Sequence, residues 1–157
     1  MKQNYDEQNM QKHIQEMEIG EKIITKPRII TKTDLELYAI STGDIHPMFL
    51  SEGCAKASGW ETQLVPGLLS FSIAVGLLIQ SGFISDVIAF LGTDKLRFNA
   101  PVYPYDSIKV EAELLSKKKT KNENWICSYK WIIRSQNDEA VADGENTCMF
   151  NQHHEPW

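Results

Sequence analysis

The sequence predicts an α+β domain in which a curled antiparallel sheet of about five strands covers one long central helix. The stretch from Pro66 to Gly82 is apolar on every side of a helical wheel, and no charged residue occurs between Glu61 and Asp86. From Val87 onward the apolar period changes to two. The 157 residues, 42% hydrophobic and 24% charged, have the composition of a single globular domain with a sizeable core.

Met1 to Glu18 is rich in Gln, Asn, Glu and Lys, which predicts a flexible N-terminal tail over residues 1–18. The domain proper is expected over 19–150, and 151–157 reads as a polar C-terminal tail. Ile19 to Ile30 carries Ile23, Ile24, Ile29 and Ile30 around Pro27, which removes a ladder donor and suits an edge segment. Thr31 to Asp34 offers helix-capping chemistry, and Leu35, Tyr38 and Ala39 follow at helical spacing, so a short helix ends near Thr42 with Gly43 as its stop. The run from Gly43 to Phe49 reads as a loop, and Ser51 to Ser58 as a second short helix.

The central helix is expected from about Gly67 to Ser81, with Pro66 at its start and Gly82 at its end. Its length of roughly 20 Å, at ~1.5 Å per residue, falls short of the ~30 Å bilayer core. A helix without a polar face must be covered all round, and one small sheet cannot do that. A second copy of the chain, in a symmetric homodimer, is the economical source of the remaining cover.

Leu96 and Phe98 alternate with Lys95, Arg97 and Asn99. Ile108, Val110, Ala112 and Leu114 alternate with polar neighbours, as in a strand with one buried and one wet face. A lysine-rich turn, Lys117 to Asn124, leads to a strand whose Trp125, Cys127, Tyr129, Trp131 and Ile133 share a face. Gln136 to Glu139 then turns into a last strand, Ala140 to Phe150.

A net charge of -5 argues against nucleic acid as a partner. Cys54, Cys127 and Cys148 are odd in number and form no CxxC pair, and residues 1–18 lack an apolar leader, so a reducing cytoplasm is expected. No metal site is expected, because His153 and His154 have no ligand partner at suitable spacing. By composition alone Gly43-Asp44-Ile45-His46-Pro47 is a turn in which Asp44 bonds its own backbone.

The segment Tyr38-Ala39-Ile40-Ser41-Thr42-Gly43-Asp44-Ile45-His46-Pro47-Met48-Phe49, with Ala55 beyond it, resembles the signature of MaoC-like dehydratases and (R)-specific enoyl-CoA hydratases. In that family an aromatic precedes Gly-Asp-x-Asn-Pro-x-His. Pro66-Gly67 and the run from Leu96 to Asp106, with Arg97-Phe98 and Pro101-Val102, are similar to further family segments, and order and spacing agree from Ile19 to Phe150.

The resemblance implies a hotdog fold, usually dimeric, and reversible hydration of a 2-enoyl-CoA to a 3-hydroxyacyl-CoA. It implies Asp44 as base, His46 as proton partner, and the Gly67 N–H as donor to the thioester oxygen when that oxygen gains enolate charge. A helix N-terminus suits that role, because its amides are free and its dipole is positive there. Phe49, Pro66 and Arg97 are implied substrate contacts, with Arg97 toward the phosphates.

Three positions depart from the family pattern. Phe49 stands where the family has its catalytic His, His46 where it has Asn, and Pro66 where a His often precedes the helix glycine. The substrate is expected to be an acyl-CoA or acyl-carrier thioester, with coenzyme A entering only as part of it and no separate cofactor. The alternatives are a non-catalytic acyl-CoA-binding module and a thioesterase. The latter is disfavoured because the central helix carries no Glu or Asp.

Overall fold

The computed structural model describes residues 12–152. The tails expected at 1–18 and 151–157 therefore lie outside the described residues for 1–11 and for 153–157, which include His153 and His154. Residues 12–18 differ from the flexible tail expected there. A 3₁₀ turn at Ile14–Glu16 places Ile14 and Met17 in the core. Ile14 N–H donates to the Phe83 carbonyl (2.9 Å), and Lys117 Nζ donates to the Met17 carbonyl (2.7 Å). Two apolar side chains three residues apart share one side of such a turn, and the polarity of their neighbours masks them in a sequence average.

The edge segment forms β1 (Lys22–Ile24) and β2 (Arg28–Ile29), both antiparallel to β4 (Ser107–Lys119). Pro27 separates them, so the sheet has six strands among the described residues. Across the gap the buried Thr25 keeps the ladder closed. Its N–H donates to the Val110 carbonyl and its hydroxyl accepts from Val110 N–H, both at 2.9 Å. Helix α1 (Lys32–Thr42) opens on a capping box between Thr31 and Asp34. It closes at Gly43, whose φ of 76° is the left-handed conformation that glycine tolerates best. The loop expected after it contains one further turn of helix, α2 (Pro47–Leu50), followed by α3 (Glu52–Ala57) capped by Ser51.

The central helix is α4 (Gly67–Gln80). After it come β3 (Val87–Phe98), β4, β5 (Trp125–Ser135) and β6 (Ala140–Phe150), in the spatial order β1-β4-β5-β6-β3. The expected alternation on β4 is observed, with Ile108, Val110, Ala112 and Leu114 all buried. Strand β4 runs on to Lys119, so the lysine-rich turn is shorter than expected. Lys117, rather than being solvated, holds the Gln15 and Met17 carbonyls.

The sheet and the N-terminal segment cover only one side of α4. Leu69, Ile73, Ala74, Leu77 and Leu78 are buried, whereas Leu68 is 53% exposed and Phe71, Val75 and Ile79 are half-buried. The uncovered side continues through an edge-on contact between the Phe71 and Phe90 rings onto Ile88, Phe90 and Leu91 of β3, which are exposed. Among the described residues β3 has a neighbour, β6, on one side only, and its register slips three times.

Under the helix, the core strands β5 and β6 carry a closed polar network. Trp131 Nε1–H donates to Asn146 Oδ1 (2.9 Å), and Asn146 Nδ2–H donates to the Tyr129 hydroxyl (3.1 Å). Asn146 is 0% exposed, so Asn146→Ala leaves the indole N–H without an acceptor in a dry core. We expect a loss of about 2–3 kcal/mol in urea unfolding with an unchanged m-value. Cys127 and Cys148 face each other across the same two strands as free thiols, and burial pushes both up to about 11. They behave as small buried hydrophobes, in line with their strand positions in the sequence.

Candidate functional site

Two loops and two strand ends converge on the N-terminus of α4. From the first loop, the Gly43 cap turns the chain out of α1. Asp44 N–H then donates to Thr42 Oγ1 (3.2 Å), whose hydroxyl donates to the Tyr38 carbonyl (2.7 Å). These bonds aim the half-buried Asp44 side chain without using its carboxylate. His46 next caps α2, its Nδ1 accepting from Met48 N–H at 3.3 Å, and Pro47 supplies the first helical residue. Phe49 follows on α2, its ring tilted 59° against the His46 ring at 5.9 Å.

The second loop is tied to the first by Leu64 N–H donating to the Met48 carbonyl, and to the strand side by Val65 N–H donating to the Val102 carbonyl. Pro66 then begins α4 with no side-chain cap, so the amides of the first turn remain open to a ligand. Gly67 is needed here for close approach. A Cβ at this position would lie 2.8 Å from the Phe98 ring.

The result is a cavity of about 390 Å³ with mostly apolar walls. Tyr38, Asp44, Phe49, Pro66, Gly67 and Ser70 line it, together with Phe98 to Val102 and the start of β6. Among the described residues Asp44 is the only carboxylate in that wall. Burial, and after it the Asp44 carboxylate, push the Tyr38 phenol above its ordinary range, so the phenol stays protonated next to the carboxylate.

Of the six residues singled out from the sequence, the structure brings Asp44, Phe49, Pro66 and Gly67 to one wall. His46 and Arg97 do not line it. His46 is exposed, with Nδ1 engaged in its capping bond. Arg97 is exposed on β3, where its Nη1 donates to the Leu96 carbonyl. The bond from Asp44 to its own backbone, expected of a simple turn residue, is not made. Tyr38 and Ser70 also line the cavity, although the sequence gives neither a role: Tyr38 is the aromatic of the motif, and Ser70 lies one turn beyond Gly67 as the one buried polar residue of α4.

The family of MaoC like domains matches residues 14–131. Protein MaoC of Klebsiella aerogenes is 33% identical over 109 residues, covering 69% of this chain and 32% of that protein, so the chain spans about a third of that relative's length. A mitochondrial 3-hydroxyacyl-[acyl-carrier-protein] dehydratase of Arabidopsis thaliana is 26% identical, covering 85% of this chain and 78% of that one. Among solved structures, the unliganded R-hydratase PhaJ1 of Pseudomonas aeruginosa superposes with a TM-score of 0.74 at 27% identity, covering 90% of this chain and 86% of that one. The fold shared with such neighbours is the hotdog fold, here an antiparallel sheet that is not closed into a barrel.

Proposed function

The chain belongs to the family of MaoC like domains, and from that premise we propose that it is a hydro-lyase of acyl thioesters, adding water reversibly across the double bond of a 2-enoyl thioester. The observation that carries the proposal is the shared wall of Asp44 and the open N-terminus of α4 in one apolar cavity.

The chemistry balances on that wall. Asp44 takes a proton from water as the oxygen bonds to C3. The π electrons shift through C2 onto the thioester oxygen, which the Gly67 N–H stabilises as an enolate. C2 then receives a proton, and the one taken from water suffices, so a single carboxylate can serve both half-steps. Pro66 and Phe49 exclude water around the reacting carbons, and exposed Arg97 is left to the phosphates of the thiol carrier. The R-hydratase and acyl-carrier dehydratase relatives support the reaction class and leave coenzyme A and a carrier protein as the two carriers to compare. Buried, unbridged Cys127 and Cys148 suit a reducing compartment such as the cytoplasm. No helix among the described residues is long and apolar enough to cross a membrane.

A second reading, a non-catalytic acyl-thioester-binding module, is favoured by Phe49 standing in the cavity wall while His46 stands outside it. Incubation with crotonyl-CoA separates the readings. Hydration removes the enoyl absorbance without freeing thiol, a thioesterase frees thiol, and a binding module retains the ligand unchanged.

The proposal includes a homodimer. The uncovered side of α4 and the exposed apolar residues of β3 form one surface, continuous through Phe71 and Phe90, of the kind a second copy of the chain would cover. Light scattering at micromolar concentration is expected to give twice the chain mass of 17.9 kDa or more. A monomer would remove this part of the proposal.

A further inference from the structure

The hydroxyl of Ser70 is buried, at 2% residue exposure, and has no hydrogen-bond partner among the described residues. That is unusual for a helical serine, which normally turns its hydroxyl onto the carbonyl four residues back. Ser72 of the same helix does so, donating to the Leu68 carbonyl at 2.9 Å. The carbonyl available to Ser70 is that of Pro66, which accepts the Ser70 N–H (3.1 Å) and not its hydroxyl. A polar atom left unpaired inside a mostly apolar wall calls for a partner, and the wall it belongs to is that of the cavity.

The direction of the side chain narrows the choice. Ser70 stands three residues after Gly67, so the two share a helix face, and the Cα–Cβ bonds of a helix lean toward its N-terminus. The Ser70 Cβ, which carries the hydroxyl, therefore leans back toward the first turn, where Pro66 leaves the Gly67 N–H uncapped. A ligand oxygen accepting from that amide meets the hydroxyl as a second donor. Asp44 stands in the same wall but contributes no donor when ionised.

Resting on the hydro-lyase reading, we propose that the Ser70 hydroxyl and the Gly67 N–H together bind the thioester oxygen of the substrate and stabilise it as it takes enolate charge. The proposal makes Ser70 a catalytic residue of the helix face, separate from the acid–base loop. No covalent step passes through it, and its proton stays on the hydroxyl throughout.

The test uses two readouts on the full chain. The first is the absorption of bound 4-(dimethylamino)cinnamoyl-CoA, whose band moves to longer wavelength as its carbonyl is polarised. The second is the steady-state hydration of crotonyl-CoA. Ser70→Ala is expected to bind the chromophore with most of the red shift lost. It should lower kcat by about 10²-fold, the low end of one oxyanion donor's contribution, with KM little changed. Ser70→Thr, which keeps the hydroxyl, should retain both signals, and Asp44→Asn should keep the red shift while losing turnover. Because the alanine removes an unpaired buried hydroxyl, its melting temperature should not fall.

If Ser70→Ala keeps the wild-type red shift and kcat, the proposal is overturned and the hydro-lyase reading stands. If the wild type shows a red shift that Ser70→Ala removes yet hydrates nothing, the hydro-lyase reading falls and the donor pair stands. A wild type that neither turns over nor shifts the chromophore overturns both.

Discussion

Asp44→Asn is expected to lower kcat for crotonyl-CoA by about 10²- to 10⁴-fold, the range a positioned acid or base contributes, while the melting temperature stays within a few degrees. The structure separates the two effects unusually well. The turn that carries Asp44 is held by the left-handed Gly43 cap, by Asp44 N–H on Thr42 Oγ1, and by Ile45 N–H on the Gly43 carbonyl at 2.9 Å. None of these bonds uses the carboxylate. An amide of the same shape therefore leaves the loop intact and removes only the ability to take a proton from water. If turnover were unchanged and the melting temperature fell instead, Asp44 would be a turn residue and the cavity would need another base.

Phe49→His is expected to raise hydration of a short 2-enoyl-CoA by tenfold or more, within the ~10²- to 10⁴-fold that a positioned imidazole can supply. Phe49 already lines the cavity with Asp44, and its backbone is fixed by α2, with its N–H donating to the His46 carbonyl at 2.9 Å. The smaller ring fits without overpacking, and the lost apolar burial of a half-exposed phenylalanine costs about 1 kcal/mol. His46→Ala is the companion measurement. Because His46 points to Met48 N–H and not into the cavity, its removal should cost some loop stability and leave turnover close to wild type. A large loss of turnover in His46→Ala would mean that the loop rearranges to bring this imidazole in. A folded but inactive Phe49→His variant, together with an inactive wild type, would favour the binding-module reading.

The elements whose local chemistry is self-contained were legible in the sequence. Thr31 with Asp34, Gly43 and Ser51 mark helix ends by hydrogen-bonding needs that neighbours within a few residues satisfy, and Pro66 marks the start of the apolar run by its fixed backbone angle. The alternation in β4 reports a sheet with one buried face wherever that sheet sits in the fold. What was not legible depends on residues far apart in the chain. Ile14 and Met17 are core residues only because Phe83 and Lys117 reach them from some 70 and 100 positions away. The uncovered side of α4 is a property of the sheet's limited reach, which no helical wheel contains.

The site divides in the same way. Asp44, Phe49, Pro66 and Gly67 could be named because motif spacing carries them, but spacing along a loop does not set side-chain direction. Hence His46, two residues from Asp44, turns to cap α2 and leaves the wall. The sequence assigns Ser70 no role because a lone serine in an apolar helix is ordinarily satisfied by its own backbone, and only in the folded chain is it evident that this one is not.

The strand order has a consequence for how the chain is made. Helix α4 lies N-terminal to all four long strands, and the short β1 and β2 find their partner only in β4. During synthesis the most apolar segment of the protein therefore leaves the ribosome before its cover exists. At ~5–20 residues per second, the roughly 70 residues from Gln80 to Phe150 take ~4–14 s to follow. Strands β4, β5 and β6 form a local meander whose pairing needs no segment outside it, whereas β3 pairs only with β6, the last strand to emerge. Nascent chains halted before β4 should bind holdase chaperones through α4 and resist refolding alone, whereas chains released after β6 should not.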